Sequence, residues 1–210
     1  MSLTDIFYFF RVIYDFVISY FSTIWKEKLR FERSNLDVCV NSLLLGEGAF
    51  SVVLETTDAH NSAKKYAVKR MLLQSKECED IAKTELISLQ SFRHRSIIKM
   101  IDYMDRQENS KTALYILLPL IRRGSLRQLL NNILEGKSER MGKFQVIKDY
   151  LDICSAVEVM HNYDPSYVHQ DIKPENILIG DDGRPLLTDF GSVRKARIKI
   201  SSRREVAFYV

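Results

Sequence analysis

The chain has 210 residues and a mass of 24.5 kDa, so it holds one domain or slightly more. With 46% hydrophobic and 28% charged residues, 8 Gly and 4 Pro, it is not a disordered, collagen-like or disulfide-knotted chain. The net charge is +4 without a long basic run, which argues against a nucleic-acid partner. Three widely spaced cysteines without a Cys-x-x-Cys pair argue against a zinc ribbon and favour a reducing compartment.

The N-terminal segment contains a local excess of aromatic side chains. Nine of the 22 aromatic residues lie between Phe7 and Trp25, and fifteen of the twenty residues 6–25 are apolar. The polar residues recur at steps of three or four, which predicts a helix with one narrow polar stripe formed by Arg11, Asp15, Ser19, Ser22 and Lys26. Twenty helical residues rise about 30 Å, which is enough to cross the core of a bilayer.

Three interpretations of this segment remain open: a membrane anchor that spans or lies on the bilayer, a helix packed on the rest of the protein, or an artefact of gene modelling. Each charge at mid-bilayer costs about 2.5–3.5 kcal/mol, which weighs against a plain span. A signal peptide is not indicated, and Ser2 excludes the usual myristoylation. If the segment spans, the basic residues that follow it predict a cytosolic main domain; these are Lys26, Lys28, Arg30 and Arg33.

From residue 35 onward the pattern predicts strands first and helices later. The predicted strands are Val38–Leu45, Ser51–Thr57, Tyr66–Met71, Tyr115–Leu120, Asn176–Ile179 and Leu186–Thr188. The predicted helices are Glu79–Phe92, Leu126–Leu134 and Gln145–His161. The last is amphipathic, with one face formed by Ile147, Leu151, Cys154, Val157 and His161. This order predicts an α+β fold rather than an alternating Rossmann or barrel arrangement.

A glycine-containing turn separates the first two predicted strands. Its sequence is Gly46-Glu47-Gly48-Ala49-Phe50-Ser51, and Val52 and Val53 follow. Glycine allows the backbone to approach phosphates and to direct N–H groups at them. Taken alone, the motif fits a plain glycine hairpin equally well. Because a strand and not a helix follows, it is not a Rossmann fingerprint.

Two charged residues outside this turn are candidates for the same chemistry. Lys69 ends the apolar sequence Tyr66-Ala67-Val68, where an ammonium group is costly unless it meets anions. Phosphates and a carboxylate would satisfy it. Glu85, on the next predicted helix, supplies that carboxylate, although taken alone it fits a solvated helix face better.

Two further motifs combine carboxylates, an amide and a lysine. In His169-Gln170-Asp171-Ile172-Lys173-Pro174-Glu175-Asn176, Asp171 can orient a hydroxyl group and accept its proton, and Lys173 can neutralise a phosphoryl group. The carbonyl oxygen of Asn176 is a hard ligand suited to Mg²⁺. Asp189-Phe190-Gly191 follows a predicted strand and supplies a second Mg²⁺ ligand.

In order, residue type and context, these five motifs resemble the protein-kinase signature, from about Leu43 to Glu205. The sequence from Lys173 to Asn176 is similar to serine/threonine kinases more than to tyrosine kinases. Four stretches resemble the Numb-associated kinase family, and most of all its lipid-anchored Golgi member. They are the glycine loop, Leu118-Pro119 at the apparent hinge, Arg123-Gly124-Ser125-Leu126 and the sequence from Gly180 to Ser192.

The resemblance implies a two-lobed fold with a β-rich N-lobe and an incomplete helical C-lobe. It implies transfer of the ATP γ-phosphate to Ser or Thr hydroxyls of a protein substrate, with Asp171 and Lys173 catalytic and Asn176 and Asp189 holding Mg²⁺. The ATP-binding residues that it implies are Gly46, Glu47, Gly48, Ala49, Phe50, Ser51, Val53, Ala67, Lys69, Glu85 and Leu118. It also implies a location at the cytoplasmic face of a membrane, Golgi or endosomal.

The sequence departs from the kinase pattern in two ways. Gln170 stands where most kinases have Arg, which implies activation without an activation-loop phosphate, or simple drift. No Ala-Pro-Glu sequence occurs in the nineteen residues after Gly191, so we expect a chain truncated in its activation segment.

We therefore predict a hydrophobic N-terminal helix and basic linker over residues 1–33, an N-lobe with hinge over 34–120, and a partial C-lobe over 121–210. An alternative function is an inactive kinase-like module that binds ATP or a partner and lacks the substrate-binding part of the C-lobe. A small-molecule phosphotransferase is a third possibility, which the sequence from Lys173 to Asn176 makes less favourable.

Overall fold

The structure, a computed structural model, describes residues 27–48, 50–108 and 111–196. The predicted N-terminal helix and Ala49 lie outside these residues. The described residues form two compact units, one of residues 27–79 and 100–120 and the other of residues 80–99 and 121–196.

The first unit is a six-stranded sheet in which every neighbouring pair of strands is antiparallel. Its strands are β1 (Lys28–Phe31), β2 (Leu36–Glu47), β3 (Ser51–Asp58), β4 (Lys65–Leu73), β5 (Asp102–Glu108) and β6 (Lys111–Pro119). Their spatial order is β1-β2-β3-β4-β6-β5. The sequence pattern predicts β2, β3, β4 and β6, whereas β1 and β5 are additional strands.

One face of this sheet carries the apolar core of the first unit. The buried cluster consists of Leu29, Phe31, Val38, Val68, Ala113, Tyr115 and Leu117. Successive side chains of a strand point to opposite faces. Ala67 and Lys69 therefore lie on the other face of the sheet from Val68.

Residues 28–31 form a strand rather than the predicted basic linker. The strand pairs with β2, its two apolar side chains are buried, and Lys28 and Arg30 are exposed. Each of these cations lies 3.0 Å from the Asp37 carboxylate. Their hydrogen bonds lower the pKa of Asp37 to about 2. The alternation of buried and exposed residues is that of a strand with one face in water, so the basic residues belong to the solvent face of the sheet.

The second unit is mainly helical, and all three of its helices were predicted. They are α1 (Lys76–Ser91), of which residues 80–91 belong to this unit, α2 (Leu126–Leu134) and α3 (Lys143–His161). Ser125 caps α2 through a capping box with Gln128. Two short antiparallel pairs follow: β7 (Tyr167–Val168) with β10 (Arg194–Lys195), and β8 (Ile177–Ile179) with β9 (Pro185–Leu187).

Residues 80–99 group with the second unit, although they fall within the N-lobe predicted over residues 34–120. The reason is a short backbone bridge after α1. The N–H of Ile98 donates to the carbonyl oxygen of Leu187 at 3.0 Å. The N–H of Leu187 in turn donates to the carbonyl oxygen of Ser96 at 2.8 Å. This bridge fastens the segment after α1 to β9.

Helix α3 forms as predicted, but the apolar stripe read from its sequence is not its buried face. Ile147 and Leu151 are 57% and 59% exposed. The buried positions are Asp152, Ala156 and Met160, which recur every four residues. A helical repeat shows which side chains share a face, but it does not show which face is covered.

The predicted α+β class is confirmed, with the strands of the sheet in one unit and most of the helical residues in the other. Within the part of the chain that the structure describes, no helix is both long enough and apolar enough to cross a membrane.

Candidate functional site

Five of the residues predicted to bind a nucleotide lie on one face of the sheet. In the strand register, Val53 of β3 pairs with Gly46 of β2 and with Lys69 of β4. Ala67, two residues before Lys69, pairs with Leu118 of β6. Directly paired residues of antiparallel strands present their side chains on the same face. The register therefore assembles these residues on the face opposite the apolar core of the first unit.

The glycine turn joins β2 to β3. The N–H of Gly48 donates to the carbonyl oxygen of Ser51 at 2.8 Å, which closes the turn. Glu47 is the last residue of β2, and Phe50 at the tip is 45% exposed. The turn is thus built mainly by its backbone, with its large apolar side chain directed toward solvent.

Lys69 and Glu85 are both buried, at 8% and 2% exposure. The solvated helix face considered for Glu85 is therefore wrong. Both side chains interact with other groups. A lysine at such a depth in a strand needs anions around it, which favours a role for Lys69 in binding charged groups.

The second unit carries Asp171, Lys173 and Asn176 in the loop before β8. Nζ of Lys173 donates to Oδ2 of Asp171 at 2.8 Å, and Nδ2 of Asn176 donates to the same oxygen at 2.8 Å. Nδ2 of Asn176 also donates to the backbone carbonyl of Asp171 at 2.9 Å. A 3₁₀ turn over Pro174–Asn176 brings the amide back to Asp171.

This arrangement keeps Asp171 ionised. The hydrogen bond from Lys173 is the main cause that holds the pKa of the Asp171 carboxyl below its usual value. The hydrogen bond from Asn176 also lowers this pKa, whereas partial burial raises it. The same contact raises the pKa of Lys173. Because each charged group stabilises the other, the loop presents a carboxylate with a low proton affinity at neutral pH.

The hairpin of β8 and β9 brings Asn176 close to Asp189. Ile177 pairs with Leu187, so the residue before β8 lies opposite the residue after β9. The N–H of Thr188 donates to the carbonyl oxygen of Asn176 at 3.0 Å. Asp189 is the next residue, so two oxygen-bearing side chains that are distant in sequence lie at the same end of one hairpin.

The Asp189 backbone is held in a left-handed conformation, with φ at +64°. Few non-glycine residues adopt this conformation, although Asp and Asn do so more often than the others. On one side Phe190 is fully buried, with its ring centroid 5.1 Å from that of His169. On the other, a Cβ added to Gly191 would lie 3.1 Å from Cγ2 of Ile81. The core of the second unit thus fixes the position of Asp189.

His169 is a positioning group for the loop, which the sequence motif contained without a role being assigned to it. Its Nδ1 accepts a hydrogen bond from the N–H of Asp171 at 3.4 Å. Burial lowers the pKa of His169, so the ring is neutral and Nδ1 is able to accept. The sequence does not show that His169 and Phe190 are buried, because each lies in a short segment without a hydrophobic repeat.

The protein kinase domain model matches residues 40–208 of the chain. The chain belongs to the protein kinase domain family. A Dictyostelium discoideum protein named as a probable serine/threonine-protein kinase is 38% identical over 148 residues, which are 68% of this chain and 40% of that protein. Serine/threonine-protein kinase 16 of Homo sapiens is 33% identical over 161 residues, which are 77% of this chain and 52% of that protein. The kinase domain described here thus spans about half the length of these relatives, or less.

The donor set of this kinase domain fits Mg²⁺. Both amide hydrogens of Asn176 point to Asp171, through the bonds to its side chain and backbone, so the amide carbonyl is left as the oxygen donor. Asp189 adds a carboxylate. Mg²⁺ commonly takes one or two such protein ligands together with substrate phosphates. In the described residues no group of three or more His, Cys, Asp or Glu forms a metal site. Phosphate oxygens and water are the ligands that would accompany two such protein donors.

Replacement of Lys173 by alanine is expected to raise the pKa of the Asp171 carboxyl, because the hydrogen bond and charge that lower it are lost. Carboxyl ¹³C NMR titration of the whole chain measures this value. Lys143→Ala removes an exposed lysine elsewhere and should leave the Asp171 titration unchanged. An Asp171 pKa that stayed the same or fell in Lys173→Ala would contradict the described geometry.

Proposed function

We propose that this chain carries the catalytic machinery of a serine/threonine protein kinase, which transfers the γ-phosphate of ATP to Ser or Thr hydroxyls of proteins. The observation that carries the proposal is the Asp171 carboxylate held by Lys173 and Asn176. Membership of the kinase family and the names of its relatives support the same activity.

Asp171 is proposed to orient the attacking hydroxyl group. Its lowered pKa makes it a weak base, so it accepts the proton as the new P–O bond forms rather than before. The hydroxyl oxygen bonds to the γ-phosphorus, the bond from that phosphorus to the β–γ bridging oxygen breaks, and ADP leaves. The proton is held on Asp171 until it passes to solvent. A phosphoserine or phosphothreonine side chain and ADP are the products.

Lys173 is proposed to move from Asp171 to the γ-phosphoryl group during transfer. Its side chain is 47% exposed, so it can change partner without breaking a packed core. A cation near the equatorial phosphoryl oxygens stabilises the charge that they carry in the transition state. The lysine thereby keeps Asp171 ionised at rest and supports the phosphoryl group during the reaction.

The first unit is proposed to bind the nucleotide through the face of Gly46, Val53, Ala67, Lys69 and Leu118. Ala67 and Leu118, which are directly paired between β4 and β6, are the apolar residues proposed to contact the adenine base. Lys69 contacts the α- and β-phosphates, with Glu85 as its proposed counter-ion. The backbone of Gly46, Glu47, Gly48, Phe50 and Ser51 is proposed to cover the phosphates, and Ala49 is proposed for the same role from the sequence alone.

Asn176 and Asp189 are the residues proposed to hold Mg²⁺. When bound, this ion neutralises charge on the transferring phosphates. The contribution of the chain is the short antiparallel hairpin of β8 and β9, at one end of which both oxygen donors lie.

Asp171→Asn should lower the rate of phosphate transfer by about 10²- to 10⁴-fold, because the amide cannot accept the hydroxyl proton. Its affinity for ATP without Mg²⁺ should be unchanged, because the proposed adenine and phosphate contacts lie in the first unit. Transfer of labelled γ-phosphate to a mixed Ser/Thr peptide library measures the rate, and a fluorescent ATP analogue measures binding.

Asp181→Asn, an exposed residue in the β8–β9 turn, is the matched control and should transfer phosphate like the unmodified chain. Equal rates for Asp171→Asn and the unmodified chain would contradict the role of Asp171. Tight ATP binding without transfer by the unmodified chain would favour the inactive binding module instead.

We further propose that residues 6–25 attach the chain to a membrane, with the kinase domain on the cytosolic side. Fifteen apolar residues out of twenty support this proposal, as do the basic residues that follow. A Golgi or endosomal membrane is the proposed location, from the family resemblance stated above.

Deletion of residues 1–25 should release the protein from phosphatidylcholine/phosphatidylserine vesicles in a sedimentation assay, whereas the whole chain should sediment with them. Circular dichroism of both proteins controls for folding. Equal sedimentation of the two proteins would contradict the membrane proposal.

A further inference from the structure

Helix α3 carries an apolar stripe that the described part of the chain leaves uncovered. The exposed residues of this stripe recur at alternating steps of three and four: Phe144, Ile147, Leu151, Cys154, Glu158 and His161. The first four are apolar, and Phe144 is 91% exposed. The opposite side of α3, with Asp152, Ala156 and Met160, is buried in the second unit. The helix therefore has an outer apolar face in addition to its buried one.

The stripe has the spacing of a coiled-coil seam. Alternating steps of three and four average 3.5 residues, which keeps the side chains along a line that a second helix can follow. A helix that packs on one side only normally carries charged residues on its outer face. Here the stripe runs from Phe144 to Cys154, about three helical turns, before Glu158 brings the first charge. This pattern indicates a second helix on the outer face of α3.

The exposed area of the stripe is large enough for a specific interface. Tyr150 borders the stripe and is 69% exposed. Together with the four apolar side chains it exposes on the order of 600 Å², since an aromatic side chain alone presents about 150–250 Å². The largest apolar patch on a typical monomer is about 300–600 Å². Two such patches placed face to face would bury about 1,200 Å², which reaches the size of specific protein–protein interfaces.

The stripe is complementary to itself when two copies of α3 run antiparallel. With a two-fold axis beside residue 149, Phe144 of one copy faces Cys154 of the other, and Ile147 of one faces Leu151 of the other. The largest side chain of the stripe thus meets the smallest, and the two branched aliphatic side chains meet each other. Each contact occurs twice, as in an isologous dimer.

The charges near the stripe agree with the antiparallel direction. Glu158 of one copy lies near the N-terminal end of α3 in the other, where the helix dipole favours a carboxylate. The N-cap residue at that end is Gly142, which supplies no side-chain hydrogen bond. In a parallel pair, Glu158 would instead face Glu158 of the second copy. Lys148, a cation beside the stripe, acts on the carboxylate of Asp149 within its own chain.

We propose that two copies of this chain pair through α3, antiparallel about a two-fold axis near residue 149. Each copy contributes the same side chains to the interface: Phe144, Ile147, Tyr150, Leu151 and Cys154. None of them belongs to the candidate phosphotransfer site, so the pairing does not depend on the proposed function.

Sedimentation equilibrium of the whole chain in a density-matched detergent measures the mass of the protein alone, with residues 1–25 present. We expect twice the 24.5 kDa of one chain. Ile147→Asp should give the mass of one chain and weaken pairing at least about a hundred-fold, because each copy would bury a carboxylate without a partner. Ile87→Asp is the matched control and should remain dimeric, since Ile87 lies on α1 and is 55% exposed, against 57% for Ile147.

A monomeric unmodified chain, or aggregates without a fixed size, would overturn the proposal. A dimer that persists in Ile147→Asp would place the contact on another surface, such as residues 6–25, and would overturn it as well. So would loss of the dimer in Ile87→Asp to the same extent as in Ile147→Asp. Circular dichroism of both variants controls for folding.

Cross-linking tests the direction of the two helices and does not require Ile147→Asp to fold. Phe144→Cys places a thiol opposite Cys154 of the second copy, so a short bismaleimide should join the two chains. In the unmodified chain the two Cys154 thiols lie ten positions apart along the helix pair, about 15 Å, and should not be joined. Ile87→Cys, the control, should also stay unjoined. Joining of the unmodified chain would indicate a parallel pair and refute the arrangement, as would failure to join Phe144→Cys.

Discussion

The pair of hydrogen bonds that Asp171 accepts from Lys173 and Asn176 is the interaction on which the candidate site depends. It keeps the carboxylate ionised and orients the amide of Asn176, so that the amide oxygen is left for another ligand. The 3₁₀ turn before β8 and the buried ring of His169 hold the loop in this form. This polar network thus sets both the ionisation of Asp171 and the orientation of the Asn176 amide.

Strand register is the second constraint, and it acts in both units. In the first unit it places a row of predicted nucleotide-binding residues on the face opposite the apolar core. In the second, one short hairpin places Asn176 next to the residue that precedes Asp189. Because side chains alternate along a strand, a shift of one residue would turn Lys69 into the core and Val68 out of it.

The sequence predicted the α+β class, four strands of the large sheet and the three helices found in the described residues, because each has a clear repeat or a marked boundary. β1 was not predicted, because Lys28 and Arg30 suggested a basic linker. Its alternation of charged and apolar residues was nevertheless visible in the sequence. β5 has few apolar residues, so its sequence shows no strand pattern. It forms a strand because its backbone pairs with β6. The burial of Glu85 and of Asp152 depends on neighbours distant in the chain, which periodicity does not report.

We propose that Asn176 and Asp189 act together on a divalent ion that arrives with ATP. NMR of the whole chain with Mn²⁺ in place of Mg²⁺ tests it most directly. With Mn²⁺ and ATP, the side-chain amide signal of Asn176 and the backbone amide signal of Asp189 should broaden, and Asp189→Asn should remove the effect. Broadening without ATP, or broadening at Asp149 and Asp182 in place of Asn176, would contradict it.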